Sequence, residues 1–201
     1  MTIDRPDSKA SLDQLLVAVR ACRACERHLP LGPRPILQAH TAARILIVGH
    51  APGLRAHTTG IPWDDPSGER LRDWMGVGRD TFYDASRVAI IPMGYCYPGR
   101  AGGGDRPPRR ECAELWHARL LAHLPAVELT LLVGQYAQRH FLRGRRRSSL
   151  TETTRAWQDY GPEYFPLPHP SPRNQPWRVR HPWFDRDLVP ALRARIATLT
   201  L

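Results

Sequence analysis

The sequence predicts an α/β fold, a three-layer α/β/α sandwich around a central, mainly parallel sheet. Short apolar runs recur along the chain, stretches with apolar residues at helical spacing alternate with them, and glycine or proline follows several of the runs. Strands that are buried on both faces read as continuous apolar runs, as Ile45-Leu46-Ile47-Val48 does. We therefore expect helices on both faces of the sheet.

Each element has its own local signal. Leu12, Leu15, Leu16 and Val19 have helical spacing, and Ser11 can cap the helix that they predict. Strands are expected over 44–48, 88–91, 129–133 and 164–167. Further helices are expected over 67–75, 110–124, 134–141 and 187–199, with long loops over 49–68 and 98–108.

Length and composition predict one domain. A chain of 201 residues can bury a core without disulfides, and we expect a disordered tail over 1–8 and a single unit over 9–201. No stretch approaches the roughly 20 apolar residues of a membrane span, and the amino terminus lacks a signal pattern. We expect a cytoplasmic protein without a membrane partner, whose four cysteines are thiols or metal ligands.

The charge balance favours a polyanionic partner. The chain carries 29 Lys and Arg against 19 Asp and Glu, a formal net charge of +10. The densest basic run spans 143–147, and it makes Arg145, Arg146 and Arg147 candidate phosphate contacts. An arginine-rich composition that makes many surfaces basic is the alternative explanation.

Two short blocks far apart in the chain carry the strongest functional signal. Gly49-His50-Ala51-Pro52-Gly53 follows the first predicted strand, and His169-Pro170-Ser171-Pro172-Arg173-Asn174 follows the last. Together they resemble the motifs of the uracil-DNA glycosylase superfamily. The pattern Cys22-x2-Cys25 and Cys96-x15-Cys112 is similar to the iron–sulphur ligands of its families four and five. The resemblance runs from about Cys22 to Phe184 and implies the same α/β fold.

The four cysteines, Cys22, Cys25, Cys96 and Cys112, form two well-separated pairs. On geometry alone, four thiolates suit a 4Fe-4S cluster or an all-cysteine zinc site equally, and ordinary buried thiols are a third possibility. The resemblance implies the 4Fe-4S cluster. Its role would be structural, because hydrolysis of a glycosidic bond requires no electron transfer.

The first motif and the loop after it would form the base pocket. The resemblance places Gly49, Ala51, Pro52 and Gly53 against the substrate, and Trp63 on the face of the extruded uracil. A Trp that is simply part of the core is the alternative for Trp63.

The catalytic carboxylate is expected at Asp65. The chain departs from family four, which has acidic residues where His50 and His57 stand here. The segment Asp65-Pro66-Ser67-Gly68 is instead similar to the family-five loop, whose Asp is implicated in the chemistry. Asp64 is the nearest rival, and a helix-capping role is the alternative for either residue.

The second motif would act on the leaving base and on DNA. The resemblance places His169 beside uracil O2, where a neutral imidazole stabilises the departing anion. Ser171 and Arg173 would contact DNA in the minor groove, and Asn174 is a further candidate for substrate binding. His50 is a lesser candidate for holding the water or the sugar.

One departure concerns the reading of the base. The amide with which many superfamily members pair with uracil is absent from Ile91-Pro92-Met93-Gly94-Tyr95-Cys96. Backbone groups at Met93 or Gly94 would then read the base, and Tyr95 would crowd a thymine methyl. Uracil in DNA is the expected substrate, with hypoxanthine and xanthine as alternatives.

Taken together, the sequence predicts a monomeric, monofunctional uracil-DNA glycosylase acting on DNA with uracil or other deaminated bases. The first alternative is a non-catalytic or covalently trapping binder of uracil-containing DNA. The chain lacks the Arg-rich, histidine-ending insertion of the trapping relatives, which weighs against that version. The second alternative is a metal protein that binds nucleic acid through charge alone, and convergence of Trp63, Asp65 and His169 in one pocket distinguishes it.

Overall fold

Residues 10–200 are described by a computed structural model, so the expected tail over 1–8 lies outside them. The strands of this part are β1 (Ile45–Val48), β2 (Val88–Ile90), β3 (Arg100–Ala101), β4 (Gly104–Asp105), β5 (Leu129–Val133) and β6 (Tyr164–Leu167). Four of them form a wholly parallel sheet in the order β2-β1-β5-β6. The other two pair as an antiparallel hairpin outside it.

The helices are α1 (Leu12–Arg20), α2 (Leu54–Thr59), α3 (Pro66–Met75), α4 (Arg79–Tyr83), α5 (Ala118–Leu121), α6 (Gln135–Leu142), α7 (Leu150–Arg155), α8 (Gln175–Arg180) and α9 (Val189–Thr200). Two π-helical segments, Ala113–His117 and Phe184–Leu188, lead into α5 and α9. Within residues 10–200, no helix combines the length and hydrophobicity needed to cross a membrane.

Two apolar cores lie on opposite faces of the sheet, because successive strand residues point to opposite sides. In β1, Leu46 and Val48 pack into the core that contains residues of α1 and α6. Ile45 and Ile47 pack into the other core, with residues of α3 and α9. This arrangement confirms the three-layer α/β/α sandwich.

Two loop predictions were wrong. The expected loop over 49–68 contains α2, whose only buried residue is Ala56, so the helix has no apolar stripe to reveal it. The expected loop over 98–108 contains the β3–β4 hairpin, turned by Gly102 and Gly103 with φ of 53° and 85°. Its strands are two residues long and carry no apolar alternation.

The parallel sheet brings the two sequence motifs to one edge. Val48 ends β1 directly before Gly49, and Leu167 ends β6 two residues before His169. Because parallel strands all end at the same side of a sheet, the loops that follow them meet there.

Candidate active site

The two motif loops enclose one pocket of about 430 Å³ at the carboxyl edge of the sheet. This volume is in the usual range for a small-molecule site. The expected site residues that line it are Gly49, His50, Ala51, Pro52, Gly53, Trp63, Asp65, His169, Ser171 and Arg173. The structure therefore places Trp63, Asp65 and His169 together, although it does not test the roles expected of them.

His169 is held as a neutral hydrogen-bond donor. Its Nδ1 accepts a hydrogen bond from the backbone N–H of Ser171 at 3.2 Å, which leaves the proton of the neutral ring on Nε2. Burial lowers the pKa of His169 to about 4, and the nearby His50 adds to this shift. At neutral pH the ring can therefore donate through Nε2 without carrying a charge.

Trp63 lies between the two motifs in a constrained backbone conformation. Its φ is 55°, in the left-handed region that non-glycine residues seldom adopt. The Trp63 carbonyl accepts hydrogen bonds from Arg72 at 3.4 Å and from the Tyr83 hydroxyl at 3.2 Å. A Cβ on Gly49 would lie 2.7 Å from Trp63 Cζ2, so the indole rests directly on the Gly49 backbone.

Asp65 caps α3 and also borders the pocket. Its Oδ1 accepts a hydrogen bond from the Gly68 backbone N–H at 2.8 Å, so the capping interpretation is correct for this residue. Its Oδ2 remains in the pocket, 3.8 Å from where a Cβ on Gly53 would be. The rival Asp64 instead pairs with Arg79 at 3.5 Å and Arg55 at 3.8 Å, and does not line the pocket.

The backbone N–H groups of Met93 and Gly94 are already hydrogen-bonded within the protein. Met93 N–H donates to the Gly49 carbonyl and Gly94 N–H to the His50 carbonyl, both at 3.0 Å. Met93 does not line the pocket, and Tyr95 is buried beside the cysteines. The two N–H groups therefore join the β2 loop to the first motif, and base reading by other backbone groups at Met93 or Gly94, like exclusion of a thymine methyl by Tyr95, stays a prediction.

The second motif loop is fixed by its own side chains. Asn174 donates from Nδ2 to the His169 carbonyl at 2.7 Å and lines a smaller neighbouring cavity. Arg173 donates to the Gly103 carbonyl in the β3–β4 hairpin. This contact joins the motif loop to the hairpin across the mouth of the pocket.

The two histidines of the first motif region lie in different places. His50 borders the pocket and packs edge-on against Tyr136, with ring centroids 5.1 Å apart. Burial lowers its pKa to about 4. His57 lies outside the pocket lining and packs near Tyr97, at 6.0 Å between centroids.

The basic run is partly engaged with its own chain. Arg147 pairs with the Asp159 carboxylate at 2.6 Å, and Arg145 lies over the Tyr160 ring at 5.7 Å. Arg145 also donates to the Asp159 carbonyl, whereas Arg146 is half-buried. DNA binding by these three residues stays a prediction.

The four cysteines line one small internal cavity, together with Tyr95 and Arg109. None of these four cysteines is in a disulfide. The Tyr95 backbone N–H donates to Cys112 Sγ at 3.4 Å, and Arg109 lines the same cavity as Cys25. Burial raises the pKa of Cys96 to about 11 and that of Cys112 to about 12. Among the described residues, no group of three or more His, Cys, Asp or Glu side chains has the arrangement of a metal-ion site.

Sequence reasoning missed one acidic residue of the pocket and a second, larger cavity. Asp105, at the end of the hairpin, lines the pocket beside Arg100. A groove of about 1550 Å³ lies between the cysteine-bearing segments and α6, with several arginines along it. No sequence pattern predicted the Asp105 position or the groove, because both depend on the path of the glycine- and proline-rich segment 98–108.

The fold and pocket define an α/β protein with a ligand site at the carboxyl edge of a parallel sheet. The family model described as the uracil DNA glycosylase superfamily matches residues 38–193, well over half of the chain. The chain belongs to this superfamily. It is also similar to the solution NMR structure of a protein from Methanosarcina acetivorans described as a "putative uracil DNA glycosylase". That likeness has 14% identity and a TM-score of 0.44, and covers 80% of this chain and 98% of that one. The family assignment rests on the family model alone.

Proposed function

We propose that this chain is a monofunctional DNA glycosylase that binds an extruded uracil and hydrolyses its N-glycosidic bond. The observation that carries the proposal is the convergence of Trp63, Asp65 and His169 in one pocket of about 430 Å³. The loop after the first motif supplies Trp63 and Asp65, the second motif supplies His169, and all three lie within the matched segment, 38–193. A protein that binds nucleic acid through charge alone has no need of this convergence.

His169 would stabilise the leaving base. When the bond between C1′ and uracil N1 breaks, its electron pair stays on the base, and negative charge develops at the O2 carbonyl. A neutral imidazole whose free proton is on Nε2 can donate to that oxygen. Because the pKa of His169 is lowered, the ring is neutral at neutral pH and still donates through its Nε2 proton.

Asp65 would stabilise the sugar, the group that the base leaves behind. The sugar becomes cation-like as the base departs, and a fixed carboxylate next to it lowers the energy of that state. The hydrogen bond from Gly68 orients the Asp65 side chain, with Oδ2 left toward the pocket. The cap and the catalytic role are therefore compatible in this residue.

Trp63 would hold the uracil ring by stacking, which replaces the neighbours that the base loses on leaving the helix. The Trp63 and His169 rings lie 5.6 Å apart, so one base can contact both residues. Uracil is the substrate that we propose first, and hypoxanthine and xanthine are the alternatives that the test includes.

A 4Fe-4S cluster is the cofactor that we propose for the cysteine cavity. Four thiols around one cavity match its ligand number, and cluster binding would deprotonate them despite their raised pKa values. Two buried donors at the cavity, Tyr95 Oη and Arg109 Nε, have no hydrogen-bond partner among residues 10–200, and cluster sulphur would accept from such groups. When bound, the cluster would cross-link α1 to the segment 96–112 and take no part in the hydrolysis.

We further propose that the protein works as a cytoplasmic monomer on DNA. Incubation with end-labelled oligonucleotides containing uracil, hypoxanthine, xanthine or thymine, single-stranded and duplex, followed by alkali and a denaturing gel, tests the activity. Cleavage only after alkali, at uracil, supports a monofunctional uracil glycosylase. Absence of cleavage at every base contradicts it, and a protein–DNA adduct on the gel would favour the trapping alternative.

A further inference from the structure

The groove beside the pocket has the composition of a site for a single nucleic acid strand. Arg27, Arg106, Arg139 and Arg143 line it, are exposed, and have no carboxylate partner among the described residues. The other two arginines of the groove are neutralised, because Arg109 pairs with Glu111 and Arg110 with Glu114. The unpaired positive charge therefore belongs to the first four.

The floor of the groove is apolar. Buried Leu29, Met93 and Pro108 contribute to it, and half-buried Tyr136 offers an aromatic ring. Arginine walls over an apolar, partly aromatic floor suit a strand whose phosphates contact the walls while its bases contact the floor. A duplex would keep its bases stacked inside and would leave this floor without contacts.

The groove adjoins the candidate active site at Tyr136. Tyr136 lines the groove and also the smaller cavity that it shares with His50 and His169. A strand in the groove would therefore pass Tyr136 on its way to the base pocket. We propose that the groove binds the single DNA strand that flanks the extruded nucleotide. This inference rests on the proposed function for the identity of the strand as DNA.

Fluorescence anisotropy with a labelled single-stranded DNA that contains no uracil tests the groove separately from catalysis. The variant is Arg106→Ala with Arg139→Ala. The control is Arg20→Ala with Arg155→Ala, which removes the same charge from exposed arginines outside the groove. The groove variant should bind at least about tenfold more weakly, and its plot of log K against log salt should be shallower by about 1.4, as expected for two lost phosphate contacts on a single strand.

Two outcomes would overturn the proposal. One is equal binding and equal salt dependence in the groove and control variants. The other is a loss confined to duplex DNA, with single-strand binding intact. A chain that binds DNA through the groove but releases no base would contradict the proposed function and support the groove proposal. An active enzyme whose groove variant binds DNA like the control would support the proposed function and contradict the groove proposal.

A second inference concerns Asp105, and a different observation carries it. Two carboxylates face the same point of the first motif, since Asp105 Oδ2 lies 3.7 Å and Asp65 Oδ2 3.8 Å from the Cβ position of Gly53. Asp65 uses its other oxygen to cap α3. Asp105 has no hydrogen bond or ion pair through its carboxylate within residues 10–200, so both of its oxygens are available.

The hairpin holds Asp105 at the mouth of the pocket. Arg173 of the second motif donates to the Gly103 carbonyl, so the motif loop and the hairpin are joined. Partial burial raises the pKa of Asp105, with a further rise from Asp65, while Arg100 and Arg173 oppose the shift. A raised pKa makes a carboxylate a better proton acceptor near neutral pH.

We infer that Asp105 is the general base of the hydrolysis, an inference that also rests on the proposed function. Water oxygen bonds to C1′ as the bond from C1′ to N1 breaks, and the electron pair of the broken bond stays on uracil. The water proton passes to Asp105 and can then neutralise the uracil anion. Asp65 stabilises the cationic sugar, so the two carboxylates have separate tasks.

Single-turnover excision by Asp105→Asn, with Asp64→Asn as the control, tests this assignment. Asp105→Asn should lower the rate by about a hundredfold without weakening DNA binding, as for other proton-transfer groups. Added formate should restore part of the rate in Asp105→Ala, which a purely structural role cannot explain. Asp64→Asn should keep the wild-type rate, because Asp64 lies in ion pairs outside the pocket.

An Asp105→Asn enzyme within about threefold of the wild type would overturn this inference alone. So would a slow Asp105→Ala enzyme that formate does not rescue at any concentration. A wild-type chain without excision would overturn both this inference and the proposed function.

Discussion

The rings of Trp63 and His169 lie 5.6 Å apart between centroids, with their planes inclined by 32°. One residue follows the first motif and the other begins the second, so this contact joins the two halves of the candidate site. The two proposed roles differ, because the Trp63 ring would stack on the base while the His169 imidazole would donate a hydrogen bond to it.

Substitution of these two residues should affect different steps. His169→Ala should lower the single-turnover rate by about a hundredfold at saturating enzyme, because the donor acts mainly on the charge of the transition state. Trp63→Ala should instead weaken binding of uracil-containing DNA by roughly 1 to 3 kcal/mol, the value of one base–aromatic stack. Paired rate and anisotropy measurements distinguish the two. Equal effects of both variants on affinity, with unchanged rates, would contradict this division.

Asp65 should give separable effects on stability and on catalysis. Asp65→Ala should lower the free energy of unfolding by about 1 kcal/mol through loss of the α3 cap, whereas Asp65→Asn keeps an oxygen acceptor for Gly68 and should not. Both variants should lose about a hundredfold or more in single-turnover rate. Urea unfolding and excision are measured on the same preparations, with His50→Ala alongside. A fully active Asp65→Asn with an inactive His50→Ala would show that His50 has taken over this role.

Gly49 gives an independent test of the Trp63 position. A Cβ at residue 49 would lie 2.7 Å from Trp63 Cζ2, so the indole must move in Gly49→Ala. We expect the preference for uracil-containing over thymine-containing single strands to fall, as in Trp63→Ala. Gly78→Ala is the control, because nothing lies within 4 Å of its Cβ position. Wild-type discrimination in Gly49→Ala would indicate that the indole is not in contact with the base.

Buried histidines should make the fold sensitive to acid. Burial lowers the pKa of His50, His117 and His169 from 6.5 to about 4. Between these values the unfolded chain binds protons that the folded chain does not. The free energy of unfolding should therefore fall as the pH falls from about 6.5 toward 4, by up to about 1.4 kcal/mol per pH unit for each histidine.

His117 lies outside the pocket and provides the variant. Its Nε2 donates to the Pro92 carbonyl at 3.0 Å, a bond that an amide can retain in His117→Gln. This variant should reduce the slope of stability against pH by up to about 1.4 kcal/mol per pH unit, measured by urea unfolding between pH 5 and 7. His40→Gln, at an exposed histidine, is the control. Parallel curves for His117→Gln and the wild type would exclude His117 as a source of the slope.

The cysteine cavity predicts a coloured protein. Anaerobically purified chain should be brown and contain about four iron and four sulphide per molecule, and Cys112→Ser should reduce both. Iron and sulphide analysis with visible absorption provides the check, and Ser148→Ala on the surface is the control. Stoichiometric zinc in a colourless protein, or four free thiols without metal, would contradict the cluster.

The sheet was predictable because its strands are short, continuously apolar runs, and Ile45–Val48 is buried at every position. The meeting of His169 with the first motif followed from the parallel sheet. The Asp105 position was not predictable, because it depends on a hairpin of two-residue strands with no apolar pattern. The hydrogen bonds from Met93 and Gly94 to the first motif were likewise not predictable, since they depend on how closely two adjacent loops pack.

The groove shows the same limit of sequence reasoning. The densest basic run, 143–147, supplies Arg143 to the groove, whereas its Arg147 pairs with Asp159. The unpaired arginines of the groove come from separate segments, among them Arg27, Arg106 and Arg139. Charge density along the chain therefore indicated only part of the surface on which unpaired positive charge collects.

Release of free uracil is the measurement that tests the central claim most directly. Excess enzyme is mixed with a single-stranded oligonucleotide containing one uracil, and free base is quantified by chromatography alongside the alkali-labile sites. We predict one uracil released for each abasic site formed, with no protein–DNA adduct on a denaturing gel. Abasic sites and free base that both stay at the level of a thymine-containing control, or an adduct that retains the DNA on the protein, would contradict hydrolysis of the glycosidic bond by this chain.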